Sequence, residues 1–228
     1  MSDFTPLSRR QIAWRAAQEV ADGAYVNLGI GIPTLVADYV PAGREIVFHS
    51  ENGILGVGPA PAPGEEDPDL INAGKSLVTL LPGGSYFTHS DAFLMIRGGH
   101  LDLALLGGFE VSEAGDLANW TTDDPNMSPG VGGAMDLAIG AKSVRVLMQH
   151  MTAKGSPRLR RQCRYPLTAP RAVSRVYTDL AVVDIGPTGF IAREIIAGLD
   201  LAGLQARTEA ELTAAPDLGV LAAPDLAQ

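Results

Sequence analysis

Glu51 is the residue whose setting asks for a chemical explanation. It lies in HSENGILGVG, directly after EIVF, an apolar run that reads as a buried strand. A turn at that place needs Gly, Asn or Ser and has no use for a glutamate between them. A carboxylate at the carboxyl end of a strand points into the crevice where open α/β sheets bind ligands. Gly53 beside it lets a substrate approach the backbone closely. Downstream, Gly132 and Gly133 precede Ala134-Met135-Asp136-Leu137 at an expected helix start. Free backbone N–H groups there can stabilise a developing oxyanion. A carboxylate nucleophile with an oxyanion hole is equipment for acyl transfer through an anhydride or a thioester. On spacing alone a plainer reading stands level with it, in which Glu51 closes a turn and the glycines permit tight packing.

Other motifs lose their chemistry on inspection. Gly29-Ile30-Gly31-Ile32-Pro33-Thr34 sits between an expected strand and helix, as a dinucleotide fingerprint would, but Thr34 replaces the third glycine. Gly74-Lys75-Ser76 imitates the end of a phosphate-binding loop. Asp69 stands where that loop needs its first glycine, and a strand is expected where it needs a helix. The histidines at 49, 89, 100 and 150 form no pair at helical metal-ligand spacing and read as structural or surface residues, so no metal is expected. Glu65, Glu66, Asp67 and Asp69 read as a solvated loop. The basic cluster Lys154, Arg158, Arg160, Arg161, Arg164, Arg171 and Arg175 could bind phosphates; ion pairing across a subunit contact is the favoured reading.

Composition narrows the partners. The 228 residues are 46% hydrophobic and 19% charged, a globular balance that suits one large α/β domain. Twenty-six acidic residues against 17 basic ones give a net charge of -9, which argues against nucleic acid or an anionic membrane as partner. No apolar run approaches a membrane span. The N-terminal MSDFTPLSRRQ lacks the apolar core of a signal peptide, and the single Cys163 rules out an internal disulfide and a cysteine-based metal cluster. A cytoplasmic location follows as the expectation.

The elements that must position Glu51 can be read in outline. Ser8-Arg9-Arg10-Gln11 has capping-box spacing and opens a helical pattern through Ile12, Ala16 and Val20 to Gly23. Pro33 suits the first position of a second helix. SDAFLMIRGG, GAMDLAIGA and LDLAGLQART read as further helices. Strands are expected at YVNLGI, EIVFHS, SLVTLL, LDLALLGGF, SVRVLMQ and LAVVDI. Alternating strands and helices predict an α/β fold with an open, mainly parallel sheet flanked by helices. One domain over 1–228 is expected, with a peripheral tail at about 210–228 that carries AAPDL twice.

SENGILGVGPAP, with DLINAGK, SDAFLMIRGGHLDLALLGGF, GDLANW and GGAMDLAIGAK, resembles the beta subunit of the class I CoA-transferases. The resemblance runs from about Tyr25 to about Asp184, and it implies the fold that this family shares with sugar-phosphate isomerases. It implies Glu51 as the nucleophile that is acylated and then carries CoA as a thioester, with Asn52 its neighbour in the turn. It implies Gly133 as the backbone donor to the oxyanion, and Asn27 and Lys75 among the residues lining the CoA and carboxylate site. Coenzyme A is then a co-substrate, with no permanently bound cofactor. The implied partner is an alpha subunit in a hetero-oligomer, expected as α2β2. Within the family, GDLANWTTDDPNMSPGVGGAMDL, RYPLT and SRVYTDLAVVDI are most similar to members that move CoA from succinyl-CoA to the 3-oxo acid 3-oxoadipate. Acetoacetate-type relatives usually carry a shorter Pro-Gly-Lys segment where this chain has TTDDPNMSPG, and Glu110 stands where relatives commonly have glutamine. A sugar-phosphate isomerase would need an acid–base pair instead of this pairing, and a non-catalytic subunit would not need Glu51.

Overall fold

The computed structural model describes residues 4–126 and 128–226, so Met127 of the TTDDPNMSPG segment, the first three residues and the last two of the tail lie outside the described residues. The chain begins with helix α1 (Arg9–Ala17), strand β1 (Tyr25–Leu28), a 3-10 helix (Pro33–Tyr39), β2 (Val47–Ser50), β3 (Ile54–Val57), β4 (Leu80–Tyr86) and α2 (His89–Arg97). Next come β5 (Leu103–Gly107), β6 (Glu110–Ser112), β7 (Leu117–Ala118), α3 (Ala134–Gly140), β8 (Val144–Leu147) and β9 (Leu159–Arg160). It ends with β10 (Val173–Tyr177), β11 (Ala181–Gly186), β12 (Gly189–Ile196), α4 (Leu201–Gln205) and β13 (Leu212–Leu221).

Ten strands form one sheet in the order β13-β12-β11-β10-β8-β5-β1-β2-β3-β4, and β7, β6 and β9 form a smaller one. From β10 to β2 the strands are parallel, as the expected open sheet requires. Their sequences show why. LALLG of β5 is buried at four successive positions, which suits a strand covered on both faces. The flanks turn antiparallel at β3–β4 and β10–β12, because their links are too short for a crossover. Glu51, Asn52 and Gly53 are the link between β2 and β3.

Several expectations need correcting. The helix begun by Ser8 has the expected capping box but ends at Ala17, where bonding tightens to Glu19 N–Ala16 O and Val20 N–Ala17 O before the chain reaches Gly23. The element opened by Pro33 is a 3-10 helix. The strand expected at SLVTLL instead spans Leu80–Tyr86 and contains Pro82, which an edge strand tolerates. Residues 212–221, expected to belong to a peripheral tail, form edge strand β13, with Leu212, Ala215 and Leu221 buried. The first AAPDL copy makes its bulge, since the register jumps from Ala192–Ala214 to Glu194–Gly219. Beyond it, Pro224 O accepts from Gln11 Nε2 at 3.0 Å, which ties this segment to α1.

The basic cluster is largely paired within the chain instead of across a subunit contact. Arg175 meets Glu19 and Asp184, and Arg160 and Arg164 both reach the buried Glu110. Glu110 also accepts from the Arg164 backbone N–H at 2.7 Å, so its charge is used to fold the 160–165 segment onto β6. Glu19 anchors α1 to the sheet. Burial alone pushes its carboxyl up, but bonds from Tyr177 and Arg15 bring it down to about 2.

Candidate active site

Four adjacent parallel strands, β2, β1, β5 and β8, end on the same side of the sheet. The residues just past those ends line one cleft of ≈ 560 Å³: Glu51 after β2, Gly29 after β1, Gly108 after β5 and Met148 after β8. Gly133, at the start of α3, closes it from above the sheet ends. This is the carboxyl-end crevice in which open α/β sheets hold ligands. A smaller cavity of ≈ 210 Å³ lies under Leu35, Phe48 and Val57 and does not include Glu51. The larger cleft is where the reactive groups meet.

The turn that presents Glu51 is fixed from both sides. Gly53 N–H donates to Ser50 O at 2.9 Å, and Phe87 N–H donates to Gly53 O at 3.0 Å. Gly53 has φ +115, and a Cβ there would stand 2.2 Å from Phe87 O, so no other residue fits without moving the backbone. The Glu51 carbonyl pairs with His89 Nδ1 at 3.0 Å. Only the side chain is left to act.

That side chain meets Asn27, whose Nδ2 donates to Glu51 Oε2 at 3.1 Å. Asn27 is fully buried, and the β1–β2 ladder sets it opposite His49, two residues before Glu51. Across the cleft, an ideal Cβ on Gly133 would stand 3.6 Å from Glu51 Oε1 and 3.2 Å from Phe93 Cζ. The Gly133 N–H donates to no group among the described residues. The arrangement brings a carboxylate, an amide donor and a free backbone N–H together, which is what acyl transfer at a carboxylate requires.

Asn52 and Lys75 lie elsewhere. Asn52 Nδ2 donates to Ile71 O at 2.7 Å, which ties the turn to the 71–76 loop. Lys75 is exposed in that loop at φ +64 and does not line the cleft, although Ala73 of the same loop does. Ala73 N–H donates to Ser50 Oγ at 2.9 Å, so the loop is the rim of the site. The cations lining the cleft are Arg9 and Arg158. Sequence reasoning missed both as site residues. Arg158 was visible only as one charge in a basic cluster, and Arg9 only as part of a capping box. Among the described residues no cluster of His, Cys, Asp and Glu could hold a metal ion, and no helix is long and apolar enough to cross a membrane.

Residues 9–197 match the family profile described as Coenzyme A transferase. One of the two subunit types of the 3-oxoadipate CoA-transferase of Pseudomonas putida is 58% identical over 199 residues, covering 87% of this chain and 93% of that protein. The subunit of the same name from Acinetobacter baylyi is 53% identical over 209 residues, covering 92% of this chain and 96% of that one. The acyl-CoA transferase apoenzyme of Escherichia coli O157:H7 superposes with a TM-score of 0.73 at 21% identity, over 96% of this chain and 44% of that longer one. The last shows a shared fold. Together with the Glu51 cleft at the sheet's carboxyl ends, the extent of these matches establishes that the chain belongs to the coenzyme A transferase family and is a CoA-transferase.

Proposed function

We propose that this chain is the glutamate-bearing subunit of an enzyme that moves CoA from succinyl-CoA to 3-oxoadipate, working with an alpha subunit in an α2β2 hetero-oligomer in the cytoplasm. The observation that carries the chemistry is the Glu51 carboxylate, held by Asn27 and facing the free N–H of Gly133. The acceptor is supported by the names of the two relatives at 58% and 53% identity. That both are named as subunits supports a separate partner.

In the proposed sequence a Glu51 oxygen attacks the thioester carbonyl of succinyl-CoA. The C–S bond breaks, CoA leaves as thiolate, and a succinyl–glutamyl anhydride remains. The thiolate attacks the glutamyl carbonyl, releasing succinate and leaving a glutamyl–CoA thioester. The carboxylate of 3-oxoadipate then displaces CoA to form a second anhydride. Attack of the thiolate on its acyl carbonyl gives 3-oxoadipyl-CoA and restores the Glu51 carboxylate. Each carbonyl oxygen gains negative charge as it is attacked, and the Gly133 N–H is the group placed to stabilise it. Asn27 orients Glu51 for the first attack, while Lys75 and Asn52 belong to the rim over which CoA would enter.

Incubating the assembled enzyme with succinyl-CoA and no acceptor should leave the mass of CoA on the peptide containing HSENG, removable by hydroxylamine and reducible by borohydride. Glu51→Ala should lose the adduct and several powers of ten in rate. Transfer by Glu51→Ala at a comparable rate would refute the mechanism. A larger kcat/KM for acetoacetate than for 3-oxoadipate would overturn the acceptor.

A further inference from the structure

Arg9 and Arg158 both line the Glu51 cleft, yet their surroundings differ. Arg9 is exposed at the start of α1, where water satisfies it. Arg158 is half-buried. Its Nε is shut off from solvent and has no hydrogen-bond acceptor among the described residues. Its Nη1 makes one long contact, 3.4 Å to Gly108 O at the end of β5. No carboxylate of the described residues lies within ion-pair distance of it, whereas Arg160, two residues on, is paired with Glu110 and Glu209. Burial pulls the Arg158 pKa down, and Asp179 and Tyr165 oppose this from beyond contact.

A guanidinium removed from water without an anion is strongly unfavourable unless something supplies the missing charge. The chain does not supply it in the cleft. Glu51 is the only carboxylate among the lining residues, and Asn27 holds it for another task. The backbone of Arg158 is fixed, with its N–H donating to His150 O at 3.0 Å and its carbonyl accepting from Val111 N–H at 3.0 Å. The side chain is therefore presented from a rigid base, with unused donors in a fork that matches a carboxylate.

We infer that Arg158 is the carboxylate anchor of the acyl substrate, holding the acid in the same cleft where Glu51 reacts. This rests on reading that cleft as the site of acyl transfer. One anchor serves both half-reactions, because the leaving acid and the incoming acid occupy the same space in turn. The anion it holds is a carboxylate of the acyl group. In a monocarboxylate such as acetoacetate this can only be the reacting group, while in succinate or 3-oxoadipate it can be the distal one.

The test uses Arg158→Met and Arg158→Lys in the assembled two-subunit enzyme. Equilibrium binding of succinate, 3-oxoadipate and acetoacetate is measured by calorimetry, alongside KM and kcat for the two 3-oxo acids. Arg158→Met should weaken acid binding and raise acid KM by about 10-fold or more, as expected when one partner of a close charge pair is removed. Arg158→Lys should recover part of the loss, and binding of free CoA should not change. Loss for all three acids assigns the anchor to the reacting carboxylate, and loss for the diacids alone assigns it to the distal one. Unchanged binding of every acid, or an equal loss for free CoA, would overturn the inference. Acid binding is read without turnover, so a failure to trap CoA on Glu51 in the unmodified enzyme would count against the covalent mechanism and not against the anchor.

Discussion

Asn27 Nδ2 stands 3.1 Å from Glu51 Oε2 and also 3.1 Å from both the carbonyl oxygen and Nδ1 of His49. Two amide hydrogens thus serve three acceptors. With Nδ1 accepting, the His49 proton resides on Nε2, which is buried and has no partner among the described residues. Burial lowers the His49 pKa, and the nearby Glu51 only partly opposes this. A neutral His49 therefore fixes the Asn27 amide with its N–H groups toward Glu51.

Replacing Asn27 with leucine keeps the bulk and removes the donor. A hydrogen bond to a charged group is worth about 1.5–3 kcal/mol, so Asn27→Leu should slow formation of the Glu51–CoA adduct by about 10- to 100-fold. Rapid-quench measurement of adduct formation with saturating succinyl-CoA reads this directly. An unchanged rate would show that Asn27 only packs the strand.

Gly133→Ala tests the oxyanion side. Gly133 has φ -87 and ψ 3, which alanine adopts without strain, so the fold should survive. The added methyl would lie 3.2 Å from Phe93 Cζ and 3.6 Å from Glu51 Oε1, in the space the acyl carbon must cross. We expect kcat to fall by about 10-fold or more, in line with disturbing an oxyanion donor, and Gly133→Val to fall further. Equal kcat in Gly133→Ala and the unsubstituted enzyme would place the reacting carbonyl elsewhere.

Stability should depend on acid through His150. This side chain is fully buried between the hydroxyls of Thr178 and Thr208, at 3.1 and 3.0 Å. Burial, helped by Arg207, lowers its pKa to about 4. Between the ordinary histidine range and that value, the unfolded chain binds a proton that the folded chain refuses. Stability is therefore fully present above about 6.5 and declines as pH falls toward about 4, by about 3 kcal/mol in total. Urea midpoints at pH 7.5 and 5 should differ in the native chain and differ less in His150→Gln. The same pH response in both would assign the acid sensitivity to other groups.

The parts of the fold readable from sequence are those whose pattern is local. The capping boxes at Ser8–Gln11 and Thr88–Asp91 each close within one turn, and only the first was recognised. The doubly covered strands β5, β8 and β11 appear as unbroken apolar runs. Strands β4 and β13 were misplaced or missed because glycine and proline, normally turn residues, sit inside edge strands where an unpaired N–H costs little. Glu51 and Gly133 stood out through short motifs. The Asn27–His49 register and the entry of Arg158 into the cleft join residues distant along the chain, and no local pattern encodes them.

Lys75 offers the last test, since its charge and its backbone can be separated. It sits at φ +64 in a turn closed by Lys75 N–Asn72 O at 2.9 Å, a conformation that favours glycine. Its side chain is exposed on the rim loop that Ser50 Oγ pins to the active-site strand. As a rim cation it would draw anionic acyl-CoA toward the cleft from solvent. Such an exposed charge is worth about 0.2–1 kcal/mol, so Lys75→Gly should raise the KM for succinyl-CoA by about two- to five-fold at low salt. Screening shortens the reach of the charge to about 10 Å at 0.1 M ionic strength and about 3 Å at 1 M, so the difference should shrink as salt is added. Glycine also relieves the left-handed backbone, so Tm should hold or rise. Lys75→Arg should keep the KM while leaving the strain. An unchanged KM in Lys75→Gly at low salt would remove Lys75 from the site, and a KM change that ignores salt would make its effect a matter of loop shape.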